Sequence, residues 1–295
     1  MLRKEKVHRK KFNHMKNCTL VVTCLLFSFS VIAQKVFDAT SIGNSNEAGN
    51  YITLDGAKLY YEVYGEGEPL VLIHGNGGNI SYMKPQIEFF SKKYKVIIPD
   101  CRGRGKSELG NDSLTYAQMA KDISGILDHL KIDSAYVVGR SDGGILTLLL
   151  AIDYPKKIKK GVAFAANLTP DTIGLYPFSY DEVKSDRRNA DQMLAKKDTT
   201  KDWKIIQQRN RMMEFQPHIS KNDLAKIKCP VLVMTTDRDV IPEEHSLFIY
   251  RNIKKGNLCI LTGEKHSVTK DNPELFNSIV AKYLSDNFKG EELRH

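Results

Sequence analysis

Cysteine and tryptophan are scarce in this chain, which has five cysteines and one tryptophan among 295 residues. Three cysteines (Cys101, Cys229 and Cys259) follow residue 34, and no two of them have C-x-x-C spacing. They allow at most one disulfide, which argues against a disulfide-stapled scaffold, and they lack the spacing of a zinc site. Because their neighbours form apolar runs, we expect these thiols to pack in the core, and we predict no metal and no cofactor.

Basic residues are in excess, with a net charge of +9, but the excess is concentrated at the start of the chain. Residues 1–17 contain seven Lys and Arg against one Glu. Without residues 1–34, the chain has 37 basic and 34 acidic side chains, a balance of +3. A nearly neutral body argues against a phosphate-binding surface, so nucleic acid is not expected as a partner.

The basic start is followed by an apolar stretch from about Leu20 to Ala33. A cationic segment, a short apolar segment and a small residue at the break are typical of a secretory signal. The stretch is shorter than the roughly 20 residues of a membrane-spanning helix. We predict a signal peptide over 1–34, export to the periplasm or the medium, and no stable membrane insertion after cleavage. An uncleaved membrane anchor is the alternative. Residues 35–50 are predicted to be a polar linker.

From Tyr51 onward, strand-like and helical patterns alternate along the chain. The first is a hairpin signal, in which Asp55-Gly56 separates two strand-like runs in "YITLDGAKLYYEVYG". Apolar runs typical of buried parallel strands follow: "PLVLIHG", "YKVIIPD", "SAYVVGR", "KGVAFAA", "PVLVMTT" and "NLCILTG". Helices are predicted over 82–94, 116–130, 143–154, 243–252 and 273–288. The alternation predicts an α/β fold with a mostly parallel central sheet flanked by helices over residues 51–290.

The interval from about 167 to 228 breaks this alternation, because it is charged, compatible with helix and without a buried-strand run. An insertion of this length between strands is usually functional. Trp203, Met212 and Phe215 are among the apolar residues that supply enough surface to pack over a pocket. We predict a small helical cap, with a solvated surface excursion as the alternative.

The stretch "VVGRSDGGILTLLLA" interrupts an apolar run with glycines, two charges and a serine. Gly139-x-Ser141-x-Gly143 follows a predicted strand and precedes a predicted helix, which is the setting of a nucleophile elbow. Glycines suit such a turn because backbones approach closely there. The helix N-terminus directs N–H groups toward the charge that develops on an attacked carbonyl. Ser141 is therefore the candidate nucleophile.

A serine nucleophile needs a base, and the base needs an acid that orients it. In proteins with this elbow, the acid and then the histidine follow the serine along the chain. "PVLVMTTDRDVIP" ends a predicted strand in Asp237 and Asp239, and "NLCILTGEKHS" ends the next one in a loop with His266. Both segments reach the carboxyl edge of the sheet, where α/β proteins build their sites. His266 is the candidate base. Structural roles are expected for His74, His129 and His218, and His245 is expected to lie on the surface or to face the cap.

Four motifs together resemble the α/β-hydrolase superfamily over nearly all of residues 51–288. They are "HGNGG" after the third strand, "DCRGRGKS" after the fourth, the elbow, and the late Asp and His segments. The resemblance implies Asp239 as the acid, because it is the last Asp before an x-x-P segment. Asp237 and, less favoured, Asp171 are the alternatives. It also implies an oxyanion hole made by the backbone amides of Asn76 and Asp142. The arginines of "DCRGRGKS" are expected to pin loops, since this segment lacks the phosphate-loop spacing.

The elbow sequence "SDGG" is similar to that of biphenyl-hydrolase-like enzymes, valacyclovir hydrolase among them. This similarity implies that Asp142 is a candidate contact for an amino group of the substrate. The alternative, which we favour, is that Asp142 begins the helix and satisfies its free N–H groups and its dipole. Arg140 stands where many relatives have an aromatic residue or His, and no role is predicted for it.

The expected function is hydrolysis of a small carboxylic ester, or of an amide or thioester, through an acyl-enzyme on Ser141. C–C bond hydrolysis and perhydrolase chemistry use the same three residues and are alternatives. Dehalogenases and epoxide hydrolases are disfavoured because their nucleophile is Asp. A non-catalytic binding protein of the same fold is also disfavoured, since all three candidate residues are present. The expected partner is a small molecule.

Overall fold

A computed structural model of the chain describes residues 39–110 and 113–286. The predicted signal peptide over 1–34 and the last residues of the predicted domain, 287–290, lie outside these ranges. Within the described residues, eight strands form one sheet. The strands are β1 (Gly49–Leu54), β2 (Ala57–Tyr64), β3 (Glu68–Ile73), β4 (Tyr94–Pro99), β5 (Ala135–Arg140), β6 (Ile158–Phe164), β7 (Val231–Arg238) and β8 (Gly256–Lys265).

The sheet has the order β1-β2-β4-β3-β5-β6-β7-β8. β2 pairs antiparallel with both β1 and β4, and all other neighbours are parallel. The central strands are buried on both faces, which explains their continuous apolar runs. The predicted α/β fold with a mostly parallel sheet is confirmed, and each of the six predicted apolar runs contains a strand.

The hairpin signal is confirmed between β1 and β2. Asp55 and Gly56 have φ of 44° and 73°, so two consecutive residues adopt the left-handed conformation. A two-residue turn of this kind matches the twist of the strands that it joins, which is why Asp-Gly is a strong hairpin signal. The pairing runs from Leu54 opposite Ala57 to Gly49 opposite Glu62.

The α-helices of the described residues are α1 (Lys84–Phe90), α2 (Tyr116–His129), α3 (Asp142–Asp153), α4 (Pro177–Ala195), α5 (Trp203–Phe215), α6 (Lys221–Leu224), α7 (Glu243–Asn252), α8 (Val268–Asp271) and α9 (Pro273–Ser285). The helix predicted over 82–94 is shorter, because Ile80–Met83 is a 3₁₀-helix and Tyr94 already belongs to β4. In the part of the chain that the structure describes, no helix is both long and apolar enough to span a membrane.

Between β6 and β7 the chain forms helices and turns only, α4, α5 and α6. α4 and α5 pack against each other. The Arg187 guanidinium of α4 forms ion pairs with Asp191 on the same helix and with Glu214 on α5. Gln207 of α5 adds a hydrogen bond of 2.6 Å to the carboxylate of Asp191. These polar contacts join the two helices side by side.

The segment predicted as a polar linker, 35–50, contacts the domain in its described part. Glu62 of β2 is fully buried, and its carboxylate accepts hydrogen bonds from the amides of Gly43 (2.8 Å) and Ser45 (3.0 Å). The hydroxyls of Tyr60 and Tyr64 donate to the same carboxylate at 2.6 Å each. A buried charge needs such partners. Gly43 and Ser45 of this segment thus contact the domain through their backbone amides, and Gly49 is the first residue of β1.

Candidate active site

Ser141 lies between the end of β5 and the start of α3 in a strained conformation. Its φ of 57° and ψ of −119° are unusual for a residue with a side chain, and such strain is concentrated at functional sites. The Ser141 amide donates to the carbonyl of Phe164 at the end of β6 over 2.8 Å. The turn is thereby fixed to the neighbouring strand, at the carboxyl edge of the sheet.

The glycines around Ser141 are required by close backbone approaches. A Cβ atom on Gly139 would lie 1.8 Å from the carbonyl oxygen of Gly143. A Cβ atom on Gly143 would lie 2.2 Å from the carbonyl oxygen of Ile73, at the end of β3. Real Cβ atoms do not approach backbone so closely, so side chains at these positions would displace the turn. The G-x-S-x-G spacing thus has a direct steric cause in this fold.

Asp239 and His266 are joined by a hydrogen bond of 2.7 Å between Oδ1 and Nδ1. The Asp239 side chain is fully buried, and its Oδ1 also accepts from the amide of Val240 at 2.7 Å. The hydroxyls of Thr235 and Thr236 lie 3.4 Å from Oδ2. A carboxylate in this position accepts a hydrogen bond from Nδ1–H, which leaves Nε2 of His266 as a proton acceptor.

The two alternative acids lie elsewhere. Asp237 is exposed, and its Oδ1 and Oδ2 lie 2.8 and 2.9 Å from the amide nitrogen of Gly263 on the neighbouring strand β8, which donates to them. Asp171 accepts from groups of its own loop, including the Thr169 hydroxyl at 2.8 Å. Neither has a hydrogen bond to His266 among the described residues. The geometry therefore favours Asp239.

The other four histidines within residues 39–110 and 113–286 make structural contacts or face solvent. His74 is buried, its Nδ1 lies 2.8 Å from the Gly75 carbonyl, and its Nε2 accepts from the Cys101 amide at 3.1 Å. Burial lowers the pKa of His74 to about 4, so the ring is neutral. His245 is buried as well, although a surface position or one facing the cap was expected. Its Nε2 accepts from the amide of Leu168, at the start of the insertion, at 2.9 Å. The remaining two, His129 and His218, are exposed.

A cavity of about 290 Å³ is lined by both Ser141 and His266. Asp142 and Asn76 border the same cavity, so it brings together the candidate nucleophile, base and oxyanion-hole residues. A second wall comes from the insertion and includes Ser179, Glu182, Val183 and Asp186 of α4 and Asn210 and Met213 of α5. Much of this wall is polar, which suits a substrate with hydrogen-bonding groups.

The two amides predicted for the oxyanion hole lie on different elements. Asp142 is the first residue of α3, and the first four N–H groups of a helix have no acceptor within the helix. Asn76 lies in the loop after β3, and within residues 39–110 and 113–286 its amide has no hydrogen-bond acceptor. Both amides are therefore free to donate to a developing oxyanion.

Asp142 begins α3 as expected, but its carboxylate does not satisfy the helix N–H groups. Oδ1 accepts from the Tyr116 hydroxyl at 2.8 Å, and Oδ2 from Nη2 of Arg104 at 3.2 Å. Burial raises the pKa of Asp142 above its ordinary value, and the Arg104 charge opposes this effect. The prediction that the Asp142 carboxylate caps the helix is therefore wrong. Its two oxygens instead accept hydrogen bonds from side chains of two distant segments.

Arg140, for which no role was predicted, connects the elbow to the loop of the candidate base. Its Nη2 donates to the backbone carbonyl of His266 over 3.2 Å, across 126 residues of sequence. The guanidinium also borders the cavity, and its buried Nε has no partner among the described residues. Arg140 therefore holds the His266 backbone close to Ser141.

Arg104 and Tyr116 are site residues that the sequence did not reveal. The expectation that the arginines of "DCRGRGKS" pin loops agrees with the contacts of Arg102, whose guanidinium pairs with buried Asp122 at 2.7 Å. Arg104 instead reaches Asn76 and Asp142 in the site. Arg104 is the second arginine of that motif, which could have marked it as a candidate site residue. No neighbouring residue in the sequence indicates that Asn76 and Asp142 are its partners.

Comparisons with known proteins agree with this architecture. The sequence profile described as alpha/beta hydrolase fold matches residues 68–245. A putative carbamate hydrolase RutD from a Caulobacter species is 27% identical over 265 residues, covering 79% of this chain and 97% of that protein. The serine hydrolase BPHL of Homo sapiens is 26% identical over 249 residues, covering 79% of this chain and 85% of that protein.

Solved structures show the same fold at lower identity. A hydrolase from Pseudomonas aeruginosa superposes with a TM-score of 0.69 at 20% identity, covering 82% of this chain and all of that one. The enol-lactonase from Burkholderia xenovorans has a TM-score of 0.66 at 21% identity, covering 80% of this chain and all of that one. The matched profile spans more than half of the chain, including the elbow. The chain therefore belongs to the alpha/beta hydrolase fold family and is a hydrolase.

Proposed function

We propose that this protein hydrolyses a small carboxylic ester, or a related amide, thioester or carbamate, through an acyl-enzyme on Ser141. The observation that carries the proposal is the hydrogen-bonded pair of Asp239 and His266 beside the cavity that the strained Ser141 also lines. A nucleophile, a base and a buried orienting acid are the groups that acyl transfer requires.

In the first step, Nε2 of His266 takes the hydroxyl proton of Ser141 as Oγ bonds to the substrate carbonyl carbon. The carbonyl oxygen gains the negative charge, and the amides of Asn76 and Asp142 donate to it. The imidazolium then gives its proton to the leaving alcohol, amine or thiol as the bond to the carbonyl carbon breaks. Water repeats the sequence on the acyl-enzyme and releases the acid. Asp239 stays ionised and holds the ring orientation.

The cavity supports a small substrate, because its volume of about 290 Å³ is at the lower end of the range for ligand pockets. Carbamates are included because a relative is named as a putative carbamate hydrolase, although that name describes only the relative. Within this class, the α4 and α5 wall is the part of the cavity that would contact the groups beyond the scissile bond.

The test is covalent labelling with a fluorophosphonate probe, followed by steady-state kinetics on short p-nitrophenyl esters and an aryl carbamate. The wild-type protein is expected to be labelled once, at Ser141, and to turn over at least one substrate. Ser141→Ala should lose both. Ser278→Ala is the matched control, since that exposed hydroxyl on α9 bonds only to its own helix and its loss should change neither readout. A folded wild-type protein that is neither labelled nor active would refute the proposal.

A further inference from the structure

Arg104 is a buried cation beside the candidate active site that does not border the cavity. Its side chain is 1% exposed and lies in the turn after β4. One nitrogen, Nη2, donates to Oδ1 of Asn76 at 3.1 Å and to Oδ2 of Asp142 at 3.2 Å. A single guanidinium nitrogen thus bridges two side chains that come from separate parts of the fold.

The two bridged residues are those whose backbone amides belong to the proposed oxyanion hole. Asn76 is in the loop after β3, and Asp142 is the first residue of α3, so each amide lies three residues beyond the paired strand ends Ile73 and Gly139. An oxyanion hole works only if its donors are in place before charge develops on the substrate oxygen. The β3–β5 pairing brings the two segments together, and the Arg104 bridge adds a side-chain contact between them beyond the strand ends.

The guanidinium that makes this contact is itself fixed. Nη1 of Arg104 donates to the carbonyl of Arg102 at 3.0 Å, and Arg102 forms a buried ion pair with Asp122. On the other side, the Tyr116 hydroxyl holds Oδ1 of Asp142 at 2.8 Å. Nη1 of Arg104 thus connects to the buried network of the β4 turn and α2, while Nη2 contacts Asn76 and Asp142 in the candidate site.

We propose that Arg104 is a positioning residue that aligns the two oxyanion-hole amides through the side chains of Asn76 and Asp142. This inference rests on the proposed function. The positive charge of Arg104 is offset by the adjacent carboxylate of Asp142, so its effect on the reaction is mainly geometric. Arg104 contacts neither substrate nor Ser141, and its removal acts on the transition state through the amides.

The test compares Arg104→Met in an Asp142→Asn background with Asp142→Asn alone. This pair removes the bridge without leaving a buried carboxylate unpaired, which would be destabilising. We expect kcat to fall roughly 100-fold with little change in KM, because one oxyanion donor is worth on the order of 100- to 1000-fold. The affinity for a boronic acid, which forms a tetrahedral adduct on the serine, should fall by the same factor as kcat/KM.

Asn76→Ala provides a second variant in case the buried double variant does not fold. It removes the acceptor of Arg104 and keeps the backbone amide, and Asn76 is only half-buried. In the wild-type background, Asn76→Ala should lower the affinity for the boronic acid. In a chain that already carries Arg104→Met, the same substitution should have almost no further effect, since the effects of coupled residues are not additive. If Arg104 only stabilised the fold, its removal would lower the melting temperature of the protein. The ratio of the affinity for the boronic acid to the affinity for the product would then stay unchanged.

The outcomes separate this inference from the proposed function. If the wild-type protein forms no boronate adduct and is not labelled at Ser141, the proposed function fails. If the wild-type protein forms the adduct, and the variant without Arg104 forms it with the affinity of Asp142→Asn alone, only the role of Arg104 is overturned.

Discussion

His266 and Asp239 share a hydrogen bond of 2.7 Å, whereas Asp237, two residues earlier, is turned toward the amide of Gly263. Two carboxylates of one short segment thus have different partners. We expect Asp239→Asn to lower kcat roughly 10,000-fold, because an amide favours the wrong tautomer of His266. Asp237→Asn is the matched control and should keep activity close to that of the wild type. Equal losses in ester hydrolysis would contradict the assignment of the acid.

Gly143 faces the backbone of β3, and its replacement should be costly. Gly143→Ala would place a Cβ atom 2.2 Å from the Ile73 carbonyl oxygen, so we expect the free energy of unfolding to drop by roughly 3 kcal/mol or more. Gly263→Ala is the control. Its φ is 78° and its Cβ would have no neighbour within 4 Å, so only backbone strain of about 1 kcal/mol should appear. Urea unfolding of both variants measures the difference, and similar midpoints would refute the steric explanation.

His74 should make stability depend on pH below neutrality. Its pKa falls from 6.5 to about 4 on folding, so the unfolded chain binds the proton more readily between these values. Stability therefore rises as pH increases from 4 to 6.5 and is fully present above that range. The contribution is about 3 kcal/mol. His74→Gln should show a flatter stability profile between pH 4 and 6.5 in denaturant unfolding. An unchanged slope would show that His74 is not the group responsible.

Arg140 links the elbow to the backbone of His266, and breaking this link should reduce turnover. We expect Arg140→Met to lower kcat roughly tenfold, the effect of losing one hydrogen bond from a charged donor. Arg251→Met removes an exposed arginine on α7 and should leave kcat unchanged. Wild-type kcat in the Arg140 variant, measured with the best p-nitrophenyl ester, would contradict a role in holding the His266 loop.

We also propose that the segment before residue 35 directs export and is removed. Expression of the full chain in a bacterial host, followed by intact-mass measurement, should give a mature protein that starts near Gln34 or Lys35. A mass that corresponds to a chain starting at Met1, or at the second methionine, Met15, would contradict cleavage and favour a retained anchor. Fractionation of the same culture should find the processed form outside the cytoplasm.

The sheet could be predicted from sequence because burial on both faces leaves a local mark. Runs such as "LVLI" in β3 and "YVVG" in β5 are apolar without interruption, and Asp55-Gly56 marks its own turn. The candidate nucleophile and base could be placed for a related reason, since both follow directly from strand ends that the pattern reveals.

The contacts of the charged residues could not be predicted, because their partners are distant in sequence. Arg104 bonds to a carboxylate 38 residues away, and Arg140 to a carbonyl 126 residues away. No periodicity records such pairs. Asp142 shows the consequence: its position at a helix start favoured capping, while its real partners come from the β4 turn and α2.

The two walls of the cavity come from stretches of chain that are separate in sequence. The candidate nucleophile and base follow strand ends of the sheet, while α4 and α5, joined to each other by Arg187, form the opposite side. For the proposed hydrolase, substitutions within 167–228 are therefore expected to change substrate preference while leaving the candidate residues Ser141, Asp239 and His266 unchanged. We expect a chimera that carries this stretch from a relative to show a different substrate preference with the same three candidate residues.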